Sequence, residues 1–137
     1  MRIVLDKGAF EPIRAHEYDA GLDLKSPVDI VVPANGSVVI DTGVHVQIPV
    51  SHAGFLKSKS GLNVKHGITS EGVIDTGYTG SVVAKLYNNS RKNYTIHRGD
   101  KITQLVILPI YLPESIDLVD TLEETERGDN GFGSTGK

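Results

Sequence analysis

Glycine and proline residues divide this chain into short apolar runs, and that spacing limits the folds open to it. The sequence contains 15 glycines and 6 prolines, most of which fall between apolar runs at intervals of roughly eight to twelve residues. Such runs are typical of strands in an all-β sandwich or barrel. We therefore predict one all-β domain over residues 1–113, with a single short helix near Gly61–Lys65.

Residues 37–48 show this pattern most clearly. The runs Ser37–Asp41 and Val44–Ile48 flank Thr42-Gly43, and the second run alternates apolar with polar residues. A glycine between two such runs favours a tight turn. The sequence therefore predicts a hairpin with Thr42-Gly43 at its tip.

The composition changes after Pro113. Residues 114–126 are acidic and contain few large apolar side chains, and residues 127–137 are rich in glycine. Such a segment cannot bury enough apolar surface to order by itself. We predict a flexible C-terminal arm over residues 114–137, which becomes ordered when something captures it.

The overall charge and the residue types exclude several classes of function. The net charge is −3 and there is no cysteine, so we expect no nucleic-acid partner, no disulfide and no thiolate chemistry. No apolar run approaches the roughly 20 residues of a membrane span, and we expect a cytoplasmic protein without a membrane partner. The five histidines lack the spacing of metal ligands.

The stretch Gly72–Gly80 combines strand and turn signals around one carboxylate and one ring. Val73 and Ile74 are typical of the end of a buried strand, and Asp75 and Tyr78 follow at a turn. We predict that this turn presents the carboxylate and the ring together on a rigid base.

Gly77 is the residue in that turn which can adopt a positive φ without steric cost, and we predict that it does so. By itself, the pattern also fits an ordinary hairpin with an exposed aspartate, since aspartate is common in turns.

Five stretches of the chain, in order, resemble the five motifs of the trimeric deoxyuridine triphosphatases (dUTPases). They are Asp19–Leu24, Ser58–Leu62, Gly72–Gly80, Gly99–Leu105 and Arg127–Gly136. The resemblance implies a distorted jelly-roll-like β-barrel. It also implies a homotrimer with sites shared between subunits, in which the arm of one chain closes a site formed by the other two.

The resemblance implies hydrolysis of dUTP to dUMP and pyrophosphate, which removes dUTP from the nucleotide pool and supplies dUMP for dTMP synthesis. Asp75 would act as the general base for the water that attacks the α-phosphorus. Gln104 would lie near the α-phosphate and this water. Asp23 would hold waters of a Mg²⁺ ion that is bound mainly by the triphosphate.

The same resemblance implies three groups of substrate contacts. Tyr78 would pack against the deoxyribose, and backbone groups within residues 68–74 would read the uracil edge. Arg127 would offer a planar fork to a terminal phosphate, and Phe132 would stack on the base. The substrate-binding residues implied are Lys59, Ser60, Gly61, Gly72, Ile74, Tyr78, Arg127, Phe132, Gly133, Ser134 and Thr135.

Two lysines depart from the dUTPase motifs, and the C-terminal residues match the motif of a different family. Lys59 and Lys101 stand where the family usually has arginine, and a lysine supplies charge without the bidentate fork. We treat Lys101 as a structural or surface charge. Residues 131–137 match the G-x-x-x-x-G-K pattern of a P-loop, but no hydroxyl residue and helix follow them in this sequence, as that motif requires.

Three other functions remain as alternatives. A dCTP deaminase has a similar hairpin but needs a glutamate ten residues after the aspartate, where this chain has Lys85. A nucleotide-sensing or protein-binding module could use the same scaffold without catalysis. A purely structural β-sandwich is the third alternative.

Overall fold

The computed structural model describes residues 1–131 of the 137-residue chain. This part of the chain contains nine strands and one short helix, α1, which spans Ser60–His66. The strands are β1 (Arg2–Leu5), β2 (Gly21–Lys25), β3 (Ile30–Val32), β4 (Ser37–Gln47), β5 (His52–Lys57), β6 (Ile68–Ile74), β7 (Ser81–Asn88), β8 (Tyr94–Ile96) and β9 (Lys101–Pro109). The predicted all-β class with one short helix is confirmed.

The strands form one large sheet and one small sheet. The large sheet has the order β1-β4-β7-β6-β5-β9-β2 with antiparallel neighbours, and it curls into a half-barrel of the jelly-roll type. β3 and β8 pair separately. This order places β2 beside β9 and β6 beside β7. The predicted site residues between Asp23 and Gln104 lie on these two pairs or in the segments next to them.

The core lies on one face of the large sheet. Along β7, Val82, Ala84 and Leu86 are buried while Val83 and Lys85 are exposed, as the two-residue period of a strand requires. Leu62 packs α1 against this core. The buried apolar cluster consists of Leu24, Val32, Ile40, Val44, Val46, Ile48, Leu56, Ile68, Ile74, Val82, Ala84, Leu86, Ile96, Ile102 and Leu105.

The hairpin predicted at Thr42-Gly43 is wrong. β4 runs unbroken from Ser37 to Gln47, and its register with β7 shifts between Asp41 and His45. Gly43 has a φ of +65°, and the buried Thr42 hydroxyl donates to the Val82 carbonyl at 2.6 Å. A β-bulge uses the same glycine as a turn does, and pairing with β7 on both sides of it keeps the strand whole.

Residues 111–131 have exposed side chains and contain no helix or strand. In the described residues, no helix is both long and apolar enough to span a membrane.

Candidate active site

Asp23 and two lysines form a charged cluster where β2 meets β9. Asp23 lies opposite Gln104 in the register of these strands and is only 5% exposed. The Nζ of Lys101 is 2.8 Å from Asp23 Oδ2, and the Nζ of Lys59 donates to Oδ1. We call Asp23, Lys59, Lys101 and Gln104 the lysine–aspartate cluster. It brings together three of the predicted site residues.

The two ammonium groups determine the charge of this cluster. Burial by itself would raise the pKa of Asp23, but hydrogen bonds from Lys101 and Lys59, together with their positive charges, lower it below 3.8. Asp23 is therefore ionised at neutral pH, and the cluster carries a net charge of about +1 because two cations share one anion. A net positive charge at a strand junction can attract phosphate oxygens.

The start of α1 lies beside the cluster. Lys59 is the N-cap residue in an extended conformation, and the exposed residues Ser60 and Gly61 begin the helix. A Cβ at Gly61 would meet nothing within 4 Å, so the backbone here is open to a ligand. Gln104 donates its Nε2–H to the Ser58 carbonyl at 3.2 Å, which holds its amide beside the start of the helix.

The second group of predicted residues lies where β6 and β7 separate. Their ladder pairs Ile68–Ser70 with residues 86–88 and then ends. Beyond it, Gly72 and Ile74 pair with β5 on the other side, while β7 pairs with β4. The gap leaves backbone groups of β6 facing β7 without a strand partner in the described residues. Of residues 68–74, whose backbone is predicted to read the uracil edge, residues 71–74 are those that do not pair with β7.

A loop of six residues, Asp75–Gly80, connects the end of β6 to the start of β7. We call it the Asp75 loop. The Tyr78 amide donates to the Asp75 carbonyl at 3.1 Å, and the Tyr78 hydroxyl donates to the Ser81 carbonyl at 2.9 Å. A Cβ at Gly80 would lie 2.6 Å from Cζ of Tyr78. The Tyr78 ring therefore lies directly over Gly80, with the exposed Asp75 at the other end of the loop.

Two local predictions for this stretch are wrong. Gly77 is not among the residues with positive φ; the turn forms without it because the six-residue loop is long enough to reverse the chain in ordinary conformations. Val73 is 62% exposed, and only Ile74 is buried, since adjacent residues of a strand face opposite sides of the sheet.

The two groups do not meet within one chain. In the register of the sheet, Gly54 of β5 pairs with both Ile74 and Ile107. Lys57 of β5 pairs with both Glu71 and Gln104. Three strand positions correspond to about 10 Å along the strand direction, and Asp75 lies one residue further. The single chain thus presents two half-sites on different parts of the sheet. One is the lysine–aspartate cluster, and the other is the gap between β6 and β7 together with the Asp75 loop.

The arm residues contact neither half-site in the described part of the chain. Arg127 is exposed, and its Nε donates to the Asn130 carbonyl at 3.1 Å within a turn of the arm itself. Phe132, Gly133, Ser134 and Thr135 lie outside the described residues.

The carboxylate of Asp23 fits a hydrated Mg²⁺ ion, which it would contact through water, better than an ion that the protein chelates directly. Within residues 1–131 there is no group of three or more histidine or carboxylate side chains that could hold a metal. Each oxygen of Asp23 accepts from one lysine, but a carboxylate oxygen has two lone pairs. The ionised Asp23 can therefore still accept a hydrogen bond from a metal-bound water.

The sequence analysis missed two residues of these half-sites. Lys101 is a partner of Asp23, and Gly80 makes room for the Tyr78 ring. Two sequence features could have indicated them: Lys101 replaces the usual arginine of the fourth motif, and Gly80 is the glycine that ends the third motif. Lys85 is exposed on β7, and its Nζ lies 4.9 Å from the centre of the Tyr87 ring.

Comparison with known proteins identifies the family of the chain. The dUTPase family model matches residues 9–136. The deoxyuridine 5'-triphosphate nucleotidohydrolase of Paramecium bursaria Chlorella virus 1 is 42% identical over 133 residues, which cover 96% of this chain and 94% of the viral protein. The enzyme of the same name from Candida glabrata is 41% identical over 127 residues, which cover 92% of this chain and 88% of the yeast protein.

Two solved structures show the same fold. A variant of the Staphylococcus bacteriophage 80alpha dUTPase with dUpNHpp has a TM-score of 0.91 and 32% identity, and the match covers 99% of this chain and 98% of the phage chain. A variant dUTPase from S. aureus phage phi11, described for its coordination of a structural Mg(II) ion, has a TM-score of 0.82 and 31% identity, with 90% and 98% covered. From its match to the family model and from these relatives, the chain belongs to the dUTPase family.

Proposed function

We propose that this protein is a dUTP diphosphatase, which hydrolyses dUTP to dUMP and pyrophosphate. The observation that carries the proposal is the pair of half-sites: a cationic cluster suited to a triphosphate, and a carboxylate beside a strand gap and a ring. Family membership gives the substrate class. The reaction would remove dUTP from the nucleotide pool and supply dUMP.

Asp75 serves as the general base. An exposed carboxylate at the end of a short loop can accept a proton from a water that attacks the α-phosphorus in line. Gln104, held by the Ser58 carbonyl, orients groups at the α-phosphate. Little covalent chemistry is required of the protein in such a reaction, so positioning and charge supply most of the rate enhancement.

The lysine–aspartate cluster binds the phosphates. Asp23 keeps Lys59 and Lys101 close together, and their net charge, with the Ser60 hydroxyl and the Gly61 amide, favours anionic oxygens. Mg²⁺, held mainly by the triphosphate, would neutralise part of its charge. Asp23 would contact the ion through water, in keeping with the preference of Mg²⁺ for retaining several waters.

The strand gap selects the base and the sugar. Unpaired backbone groups of residues 71–74, including Gly72 and Ile74, can pair with the polar edge of uracil as a neighbouring strand would. The Tyr78 ring, fixed over Gly80, would lie against the deoxyribose and leave no room for a 2′-hydroxyl.

A homotrimer would bring the half-sites of different chains together. Asp75 of one chain lies too far from Gln104 of the same chain for both to reach one phosphorus. The outer face of the sheet also carries a row of apolar side chains, Val73, Phe55 and Val106, opposite one another on three adjacent strands. Such a row fits a subunit interface, so both observations support sites shared between subunits.

The arm would complete the site as a lid. Residues 111–131 are exposed, and a mobile segment can close over bound substrate. The proposed lid contacts are Arg127, Phe132, Gly133, Ser134 and Thr135, in a unit comprising residues 114–137.

Deamination of dCTP has less support. The residue that would have to carry its catalytic carboxylate is Lys85, which faces outward next to Tyr87. A nucleotide-sensing or protein-binding role without catalysis would not require Asp75 beside the strand gap.

A pyrophosphate-release assay tests the proposal. dUTP, dCTP, dTTP and UTP are each supplied with and without Mg²⁺, and ammonia release from dCTP is followed in parallel. We expect rapid release from dUTP, which depends on Mg²⁺, and little from the other three. Ammonia from dCTP, or no turnover of any nucleotide, would overturn the proposal.

A further inference from the structure

His45 connects the N-terminal segment to the Asp75 loop. It follows the bulge in β4 and lies opposite Ser81, the first residue of β7, and opposite Val4 of β1. Its Nδ1 is 2.8 Å from the Thr79 carbonyl oxygen, and its Nε2 is 3.3 Å from Oδ2 of Asp6.

Both partners of this imidazole are acceptors. A carbonyl oxygen cannot donate, and an ionised carboxylate cannot donate either. The neutral ring has one N–H and satisfies only one of them, whereas the imidazolium satisfies both. The hydrogen bond to the Thr79 carbonyl, followed by the bond and charge of Asp6 and the charge of Asp41, raises the pKa of His45 above 6.5 despite some desolvation.

The charged groups around the ring favour its protonated form. Asp6 follows β1 and Asp41 precedes the bulge in β4, and both are acidic. Arg2, at the start of β1, is a basic group that lines a surface pocket together with His45 and Thr79. Two carboxylates against one guanidinium leave the surroundings of His45 net negative.

Thr79 lies between the two residues that define the sugar-facing surface. Tyr78 precedes it and Gly80 follows it, and the Tyr78 ring covers Gly80. The next residue, Ser81, accepts from the Tyr78 hydroxyl and donates its own hydroxyl to Asp41. Among the described residues, the Thr79 carbonyl has one hydrogen-bond donor, which is His45.

We infer that His45 is a positioning residue: as an imidazolium it fixes the Thr79 carbonyl and thereby the Tyr78 ring, so that discrimination between deoxyribose and ribose depends on pH. The inference rests on the proposed function, because it assigns to Tyr78 the sorting of the sugar. His45 itself touches no substrate.

The direction of the pH effect follows from the raised pKa. A group whose pKa is higher in the folded state contributes stability that is complete below its unfolded value, 6.5, and is lost as pH rises through its folded value. The loop is therefore held firmly in mildly acidic solution and loosens in alkaline solution.

Two variants and a matched control test the inference. His45→Gln keeps one amide donor but cannot titrate, and Asp6→Asn keeps an acceptor oxygen without its charge. His97→Gln is the control, since His97 also pairs with an aspartate, Asp29 at 3.6 Å, away from the loop. The backbone amide resonance of Gly80, whose nitrogen belongs to the same peptide group as the Thr79 carbonyl, is followed by NMR from pH 5.5 to 9.

In the wild type and in His97→Gln we expect the Gly80 amide to titrate with a midpoint above 6.5. The midpoint should fall in Asp6→Asn, and the titration should vanish in His45→Gln. A Gly80 amide that does not titrate in the wild type, or that titrates identically in His45→Gln, would overturn the inference. This measurement needs no substrate, so it decides on His45 even if dUTP turnover is absent.

The second measurement is the ratio of kcat/KM for dUTP to that for UTP over the same pH range. We expect the wild-type ratio to fall about three- to tenfold as His45 deprotonates, the size expected for losing one hydrogen bond. The change should appear mainly in KM for dUTP. A pH-independent ratio in the wild type, or a ratio in His45→Gln that still follows the wild-type curve, would contradict the inference; no dUTP turnover in any variant would instead contradict the proposed function.

Discussion

The lysine–aspartate cluster is held by strand pairing, whereas the Asp75 loop exists because two strands stop pairing. Asp23 and Gln104 face each other in a continuous ladder between β2 and β9. β6 and β7 pair over only three residues each, and side-chain hydrogen bonds then hold the loop that joins them. The lysine–aspartate cluster is thus a rigid arrangement of charged side chains. The other half-site consists of unpaired backbone groups of β6 with the Tyr78 ring beside them.

This difference matches the chemistry proposed for each half-site. Phosphate oxygens require fixed positive charge, which a ladder can hold without movement. A uracil edge requires backbone donors and acceptors that no neighbouring strand has already used. Variants of the two half-sites should therefore fail in different ways.

The largest expected effect is on Asp75. Asp75→Asn should lower kcat by about 10²- to 10⁴-fold, because general-base catalysis contributes that much, while dUTP still binds. Pyrophosphate release and calorimetric binding of dUTP measure the two quantities. Glu17→Gln, which removes an exposed carboxylate outside both half-sites, serves as the control, and substantial turnover by Asp75→Asn would exclude it as the base.

Removal of the arm should have the next largest effect. A chain that ends after Glu126 should lose about 10²-fold in kcat, since it lacks the proposed donors to the phosphates. It should unfold at nearly the wild-type temperature, because residues 127–131, which it also lacks, are exposed. Calorimetry and the pyrophosphate assay separate folding from turnover. Normal hydrolysis by the truncated chain would remove the lid from the proposal.

The lysine–aspartate cluster should make the free energy of unfolding depend on pH in the acidic range. Asp23→Asn should cost about 1–3 kcal/mol in the free energy of unfolding at pH 7, less than a fully buried pair because both lysines are partly exposed. The lowered pKa of Asp23 means that its stabilisation is present above 3.8 and is lost as pH falls through the folded value. Urea unfolding of wild type and variant should therefore converge in strong acid.

Glu71→Gln is the matched control for that measurement. Glu71 pairs with Lys57 at 2.8 Å, but both side chains are largely exposed, and such surface pairs contribute little. If Glu71→Gln destabilises the protein as much as Asp23→Asn does, the special role of the buried aspartate is wrong.

The smallest expected effect comes from two glycines of one loop. Gly80→Ala should displace the Tyr78 ring and reduce kcat/KM for dUTP about three- to tenfold, the result of overpacking at a tight contact. Gly77→Ala should stay close to wild type, since a Cβ there meets nothing within 4 Å and φ is not positive. Equal loss in both variants would show that the loop, and not the contact with Tyr78, is sensitive.

Much of the protein could be predicted from local sequence. The strand class and the short helix after Lys59 follow from residue type and spacing within a few positions. Asp23, Asp75 and Gln104 were predicted as site residues from the resemblance of five short stretches to the dUTPase motifs. The bulge at Gly43 could not be predicted, because pairing with β7, far along the chain, decides it. The two-residue period of a strand requires one of Val73 and Ile74 to face away from the core, but only the packed sheet shows that it is Val73.

The sequence by itself determined which chemical groups this family member offers and on which short stretches they lie. The tertiary structure decided how those groups are used. It placed two lysines on one buried carboxylate, separated β6 from β7 after three residue pairs, and laid the Tyr78 ring over Gly80. The physical reason is that strand pairing is a competition among distant segments, and no local pattern reports which backbone groups remain unpaired.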